Sequence, residues 1–317
     1  MTELAWQPSA SIALLQQRAQ LMAQIRSFFT KRNYLEVETP IMARFGITDI
    51  YLANIKATFR AKSYSLQTSP EYHMKRLLAA GSGSIFQLAR VFRDDELGRW
   101  HNPEFTLLEW YQLDIDHHAL MAEVDLLLQE ILHAKPIIKK TYTQAFLETC
   151  GLDPFTASIE EFKKVLEHYD LAYVLPADES DRDQYLFLLM SHVVEPALGR
   201  LDAPVGVYNF PPSQASLAKI KDGYAERFEV YFQGVELANG FHELSDANLQ
   251  AARFAADQQQ RHDKGLAPAE IDPFLLAALN HGLPPCSGVA LGVDRLLALA
   301  LKQASIAAVM PFDFSRA

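Results

Sequence analysis

Cysteine is scarce: Cys150 and Cys286 are the two in a chain of 317 residues, far apart and without a Cys-x-x-Cys spacing. That excludes a disulfide framework and a thiolate zinc site, and it leaves two small thiols expected inside the core. Long apolar runs are missing as well. No stretch reaches eighteen residues, and the first ten positions carry Glu3 with neither the basic flank nor the apolar centre of an export signal. Neither a membrane nor secretion is therefore expected, and the cytoplasm is the expected compartment. Basic residues are outnumbered, 29 Lys and Arg against 39 Asp and Glu, for a net charge of -10. A protein that grips a polyphosphate backbone gains from a basic surface, so generic nucleic-acid binding is disfavoured, although net charge leaves room for a local basic patch. The chain has no Gly-x-x-x-x-Gly-Lys-Ser/Thr loop, no internal repeat and no low-complexity tract,. What is present is 49% hydrophobic residues, ample for a large core in one domain or a domain with an insertion.

Periodicity supplies the elements. Residues 9–33 predict a helix capped by Ser9, with Ile12, Leu15, Ala19, Met22, Ile25 and Phe29 recurring at three- and four-residue steps,. Gln16, Gln17, Gln20, Gln24 and Arg32 fall largely on its other side. A strand at Leu35 to Val37 ends at Pro40, and a second helix within 66–82 follows Thr68-Ser69-Pro70-Glu71, with proline early, where its missing N–H costs nothing,. Ile85 to Phe92 and Glu104 to Tyr111 read as two strands joined by a polar loop,. Residues 114–205 read as mainly helical, with Ser158-Ile159-Glu160-Glu161 as a capping box before Phe162, Val165 and Leu166,. Strands return at Val205 to Phe210 and Phe228 to Leu237, and a final helix starts at Val293. Strand-rich ends around a helical middle predict an α+β fold, an antiparallel sheet flanked by helices. The organisation expected is one catalytic domain over 1–317 with a mainly helical insertion at about 114–205.

Three separated stretches concentrate the chemistry: Val37-Glu38-Thr39-Pro40; Phe92-Arg93 through His101-Asn102-Pro103-Glu104-Phe105; and Gly288-Val289-Ala290-Leu291-Gly292-Val293-Asp294-Arg295. On the returning strand, Phe105, Leu107, Glu109 and Tyr111 share one face by the two-residue period, offering an aromatic plane with a polar pair further along,. A further set is acidic: Glu229, Glu236 and Glu243, spaced by seven. A hairpin turning at Gln233-Gly234 sets Tyr231 opposite Glu236 and makes Glu229 and Glu236 diagonal neighbours on one face,. Such a pair repels unless a cation joins it, and magnesium is a hard cation that takes carboxylate oxygens. Taken alone, these residues leave bland readings open: a solvated acidic hairpin, and an ion-paired surface arginine beside a core hairpin. His117, His118, His133, His168, His192, His262 and His281 show no metal-ligand spacing and are expected at the surface or at caps,.

At their spacings the three stretches resemble the signature motifs of class II aminoacyl-tRNA synthetases, and the second is closest in wording to lysyl-tRNA synthetases. The resemblance implies ATP as co-substrate with Mg2+, and formation of an aminoacyl-adenylate. It assigns ATP contacts to Arg93, Asp94, Asp95, His101, Asn102, Phe105, Glu236, Leu237, Gly292 and Arg295. Arg93 takes the α-phosphate and Arg295 the γ-phosphate as the catalytic pair, a task suited to planar guanidinium groups. Glu229 and Glu236 become the metal pair. Ser69, Pro70, Glu71, Tyr111, Asn239, Glu243 and Ala290 surround the amino acid, with Glu243 and Tyr111 at its terminal ammonium and Glu71 by its other amino group. The family writes Phe-Arg-x-Glu where this chain has Phe92-Arg93-Asp94-Asp95, one methylene shorter, with Glu96 as a substitute if the loop shifts.

The resemblance sharpens further. Trp6-Gln7-Pro8-Ser9-Ala10-Ser11, Tyr72-His73-Met74-Lys75-Arg76, Ser213-Gln214-Ala215-Ser216-Leu217-Ala218 and Cys286-Ser287-Gly288-Val289-Ala290 are shared with the elongation factor P lysine ligase family. That family carries alanine where lysyl-tRNA synthetases have glycine at the position of Ala290, and it lacks the anticodon-binding domain, for which this chain leaves no room before the catalytic fold. It implies (R)-β-lysine, with lysine a poorer substrate, and elongation factor P as acceptor through a lysine ε-amino group; it also implies a homodimer and no tRNA partner. A tRNA-charging fragment would need a basic surface or a separate anticodon-binding partner. An asparagine-specific relative would lack Glu243 with Tyr111, and a non-catalytic paralogue would be expected to lose Arg93, Arg295 or the acidic pair.

Overall fold

The computed structural model describes residues 6–94 and 97–317. The chain divides into two compact units: one comprises residues up to 116, 130–132 and 243 onward, the other residues 117–129 and 133–242.

The first unit opens with α1 (Ile12–Thr30), followed by β1 (Leu35–Glu36), β2 (Met42–Ala43), β3 (Lys56–Phe59), β4 (Lys62–Leu66), α2 (Glu71–Ala79), β5 (Ile85–Phe92) and β6 (Glu104–Leu113). The cap of α1 is Ser11, whose hydroxyl accepts from the Leu14 N–H. The expected cap, Ser9, instead donates to Asp313 at 2.6 Å and ties the N-terminal segment to the C-terminal one. The predicted apolar stripe is buried only at its end, where Ile25 and Phe29 join Phe28 in the core, while Ile12 is 63% exposed. Phe29 stacks on Phe86 of β5 at 4.7 Å and meets Trp110 of β6 edge-on. Phe86 and Trp110 are register partners, so α1 covers one face of this hairpin. The opposite face carries Ile85, Gln87, Ala89 and Val91 against Tyr111, Glu109, Leu107 and Phe105.

The second unit holds all but the last three residues of α3 (His117–Leu132), then β7 (Ile138–Thr141), α4 (Tyr142–Cys150), α5 (Ile159–His168), α6 (Arg182–Leu189) and α7 (Glu195–Leu198), then β8 (Val205–Phe210), β9 (Ile220–Lys221), β10 (Tyr224–Phe232) and β11 (Val235–His242). The Ser158 capping box on α5 forms as read from sequence. The apolar interior of these helices packs as one cluster around Phe146, Phe162 and Leu189 against Val205 and Val207 of β8. β10 and β11 turn at Gln233 and Gly234, both at positive φ (52° and 74°), as a two-residue hairpin requires,.

The chain then returns to the first unit with α8 (Ala247–Asp263), α9 (Pro273–Gly282), β12 (Cys286–Gly292) and α10 (Val293–Ala300). Within this unit the strands run β1-β5-β6-β12, with a small sheet β2-β4-β3 beside them. In the second unit the order is β11-β10-β8-β7 with β9 on β10. The fold class is α+β, but the sheet is mixed: β1 with β5 and β7 with β8 are parallel pairs at the edges.

Candidate active site

In the first unit, the segment before α2 runs beside the end of β5. The Phe92 N–H donates to the Gln67 carbonyl at 2.8 Å, and Arg93 Nε lies 3.5 Å from the Thr68 carbonyl. Pro70 occupies the N-cap position of α2 and has no side-chain oxygen to offer; the Ser69 hydroxyl instead accepts from the Glu71 N–H at 3.0 Å. The same hydroxyl donates to Glu109 Oε2 at 2.6 Å, while the Tyr111 hydroxyl donates to Glu109 Oε1 at 2.6 Å. One turn along α2, Lys75 places its ammonium 2.6 Å from Glu71 Oε1 and 2.6 Å from Glu243 Oε2. Glu243 is 2% exposed and Glu109 2%, so three carboxylates and one ammonium share a nearly dry pocket.

Burial decides the titration of this group. It pushes the Glu109 carboxyl up to about 7, with the Glu71 charge adding and the bonds from Ser69 and Tyr111 opposing. Burial likewise raises Glu243, against the pull of Lys75. Burial alone would lower Lys75, but Glu243 and Glu71 outweigh it and hold the ammonium charged. Gly288 on β12 forms the floor: a Cβ there would lie 2.6 Å from Glu243 Oε1 and closer still to the Tyr111 ring. Ala290 sits opposite Glu109 in register and packs with Phe105 against Ala89, Val91 and Leu107. The sequence reading paired Glu109 with Tyr111 on one face but assigned it no substrate role, and it missed Lys75 and Gly288 as parts of this pocket. It also missed Gln87, which faces Glu109 in register, is buried, and has an Oε1 without a hydrogen-bond partner among the described residues.

The nucleotide-side candidates gather at the other end of the same face. The Arg93 guanidinium lies 5.1 Å from the Phe105 ring centroid. Arg295, on the first turn of α10, donates through Nε to the Trp100 carbonyl at 3.1 Å, with Nη2 2.8 Å from His101 Nε2. α10 is anchored by buried Asp294, which accepts from the Thr106 N–H at 2.7 Å and pairs with Arg18 at 2.7 Å. Gly292 precedes the helix with the Arg295 aliphatic stem at 3.4 Å from where a side chain would begin. Asp94 is exposed on the loop after β5. Asn102 is buried; its amide donates to the Glu104 carbonyl at 2.6 Å and its oxygen accepts from the Phe314 N–H at 2.9 Å. These bonds brace the loop and leave the amide a second N–H and a second lone pair. Asp95 and its alternative Glu96 lie outside the described residues.

In the second unit, Tyr231 faces Glu236 and Glu229 faces Asn239 across the β10–β11 hairpin, with a register shift between Val230 and Tyr231. Glu229 is not an exposed acid, as the repulsion argument supposed; it is 8% exposed and bonded by Arg227 and the Tyr231 hydroxyl. Arg227, unnoticed in the sequence, also donates to Asn239 Oδ1 at 3.2 Å and so orients both candidates. Leu237 is buried beside half-buried Glu236. A carboxylate offers about four lone-pair positions, so Glu229 retains capacity for a hard cation after two bonds, and a carboxylate donor set is the type magnesium takes.

One expectation about histidines fails. His117, expected at the surface, is 3% exposed, and it lies with Glu226 and His242 so that one ligand atom from each falls within 4.8 Å of the others. The trio nonetheless suits a proton better than a metal. The Lys219 ammonium lies 3.0 Å from His242 Nε2 and has only protons to give, so the ring proton sits on Nδ1, facing Glu226 at 2.6 Å. A ring so tautomerised has no lone pair for a cation between those two groups.

The chain matches the family described as tRNA synthetases class II (D, K and N) over residues 4–316. It is 51% identical over 326 residues to the elongation factor P–(R)-beta-lysine ligase of Vibrio cholerae serotype O1, with all of both chains covered. Likewise it is 51% identical over 321 residues to the ligase of that name from Pasteurella multocida, covering 98% of each. Against the Salmonella typhi protein of the same name, identity is 51% over 327 residues and the whole of both chains. This chain therefore belongs to the class II tRNA synthetase family, alongside the elongation factor P (R)-β-lysine ligases.

Proposed function

We propose that this chain is an ATP-dependent, AMP-forming ligase that activates (R)-β-lysine, or lysine, as an aminoacyl-adenylate and transfers it to a lysine ε-amino group on elongation factor P. The observation that carries this is the buried set of Glu71, Glu109 and Glu243 over the Gly288 floor. Buried carboxylates with a single internal counter-charge favour a cationic guest, and an uncharged analogue would leave them unpaired. The amino acid's ammonium groups bind among these carboxylates while its own carboxylate is directed along β6 toward Arg93. Arg93 and Arg295 hold ATP oxygens, neutralising charge so that the amino-acid carboxylate can attack phosphorus in line. Phe105 gives the adenine a ring face. Glu229 and Glu236 would hold magnesium, which, when bound, neutralises phosphate charge.

Elongation factor P as acceptor rests on the names of the relatives together with the acidic balance of 39 to 29 charged side chains. A homodimer is part of the same reading, supported by apolar side chains left open on and after α1: Ile12 at 63%, Leu35 at 53% and Met42 at 41% exposure. The test is intact-mass spectrometry of elongation factor P incubated with the enzyme, ATP and either lysine isomer. A lysyl increment on one acceptor lysine is expected, larger with the β-isomer; an unmodified acceptor with both isomers overturns the proposal.

A further inference from the structure

Lys75 is an ammonium already inside an ammonium-binding pocket. Its side chain is 3% exposed, and its two partners, Glu71 and Glu243, are the carboxylates proposed above to receive the substrate's amino groups. Three carboxylates against one ammonium leave two negative charges when all are ionised, which is the complement of an amino acid bearing two ammonium groups. We propose that Lys75 is a specificity-determining positioning residue: by compensating one carboxylate it sets the pocket charge to fit a diammonium amino acid, and by holding Glu71 and Glu243 it fixes where that charge lies. The proposal rests on the function proposed above and deepens it.

The alternative is that Lys75 is a structural ion pair of α2. Geometry favours the pocket role, because its ammonium links a residue on one helix turn to Glu243, 168 positions later, where the bare Gly288 backbone leaves room for the Tyr111 ring and the Glu243 carboxylate. Without Lys75, Glu109 and Glu243 would retain protons to higher pH, since its nearby positive charge favours their ionised forms,. The other groups facing this cluster are Tyr111 on β6 and Tyr72 on α2, the latter near Asp257 of α8. On the outer side of α2 lie His73 and Arg76, near Asp272 at the start of α9. Among the described groups named here, the cations other than Lys75 belong to that outer side, so its charge has no substitute within the pocket.

The experiment measures KM and kcat for lysine and β-lysine in pyrophosphate exchange across pH, in Lys75→Met, Lys75→Gln and Lys75→Arg. Both neutral variants should move the pH dependence of the amino-acid KM upward, raising KM about tenfold at neutral pH, with the ATP KM unchanged and recovery toward alkaline pH. Lys75→Arg keeps the charge and should keep the wild-type position of the curve, whatever its kcat. Curves that stay in place in the neutral variants, or that move equally in Lys75→Arg, would overturn the proposal. If Lys75→Met does not fold, Lys75→Gln, which can still donate to both carboxylates, carries the test; if neither folds, a shifted Lys75→Arg curve overturns it and an unshifted one supports it. Failure of the parent reading is distinguishable, because wild type would then activate neither isomer.

Discussion

Arg295 Nη2 lies 2.8 Å from His101 Nε2, joining the first turn of α10 to the loop between β5 and β6. A guanidinium only donates, so the imidazole accepts and is neutral in this arrangement. On the proposed function, this contact holds Arg295 ready for the nucleotide. His101→Ala should release it and raise the ATP KM about fivefold, corresponding to ~1 kcal/mol for an exposed bond to a charged group. The amino-acid KM should not change; initial-rate measurements with each substrate varied would show whether the two effects separate.

Arg93 faces the same end of β6, with its guanidinium near the Phe105 ring. Arg93→Ala should abolish adenylate formation with the fold intact, a loss of roughly 3 kcal/mol or more if it behaves as other preorganised charge-stabilising groups do. Pyrophosphate exchange near the wild-type rate, in a variant with an unchanged circular dichroism spectrum, would remove Arg93 from the reaction.

The shared face of β6 was legible because strand periodicity is short-range: Phe105, Leu107, Glu109 and Tyr111 do lie on one side, from the Arg93 end to the carboxylate pocket, as the two-residue period requires,. The amino-acid pocket was only half legible. Glu71 and Glu243 stood out as acids, but Lys75 looked like an ordinary helix lysine, since its second partner lies 168 positions away. Arg227 was hidden similarly, because an alternating strand gives no sign that its arginine bonds a neighbour two residues on. The small β2-β4-β3 sheet and the helices α8 and α9 escaped because short or weakly periodic segments take their structure from packing, not local preference,.

The raised carboxyls give the pocket a pH dependence. Glu109 and Glu243 both lie above the ordinary carboxylate range through burial, so each holds a proton at a pH where an exposed acid would not. The substrate's ammonium prefers the ionised forms, hence proton and amino acid compete. Amino-acid affinity should rise with pH through the neutral range and fall as pH drops below about 7, while ATP affinity follows a different profile. Isothermal titration in buffers of differing ionisation enthalpy should detect protons released on lysine binding. Binding that is flat across this range, with no proton release, would show both acids already ionised.

Gly288 offers a steric test of the same pocket. Its missing side chain is the space against which the Tyr111 ring and Glu243 Oε1 rest. Gly288→Ala should displace one of them, lower stability by ~1–3 kcal/mol through overpacking, and remove amino-acid activation while ATP binding persists. Thermal unfolding together with nucleotide titration separates these effects, and a stable variant with an unaltered amino-acid KM would place the substrate away from this floor.

Ala290 lies two residues further along β12, opposite Glu109 and against the Ala89, Val91 and Leu107 cluster. Its methyl group lies between Glu109 and the Phe105 end of the face, which on the proposed function is the span between the substrate's ammonium and carboxylate termini. A β-amino acid separates its amino group from its carboxylate by one more carbon than an α-amino acid does. On the proposed function, the methyl is expected to discriminate between backbones and not between side chains. Ala290→Gly should gain on lysine relative to β-lysine by ~1–3 kcal/mol, the range available to one methylene's worth of space. The pocket carboxylates are untouched by the change, so uncharged analogues such as norleucine should still be rejected. Competition between the two isomers in pyrophosphate exchange reads this directly: a preference identical to wild type would mean that Ala290 serves only to pack the sheet, and acceptance of norleucine would mean that the substitution had disturbed Glu109.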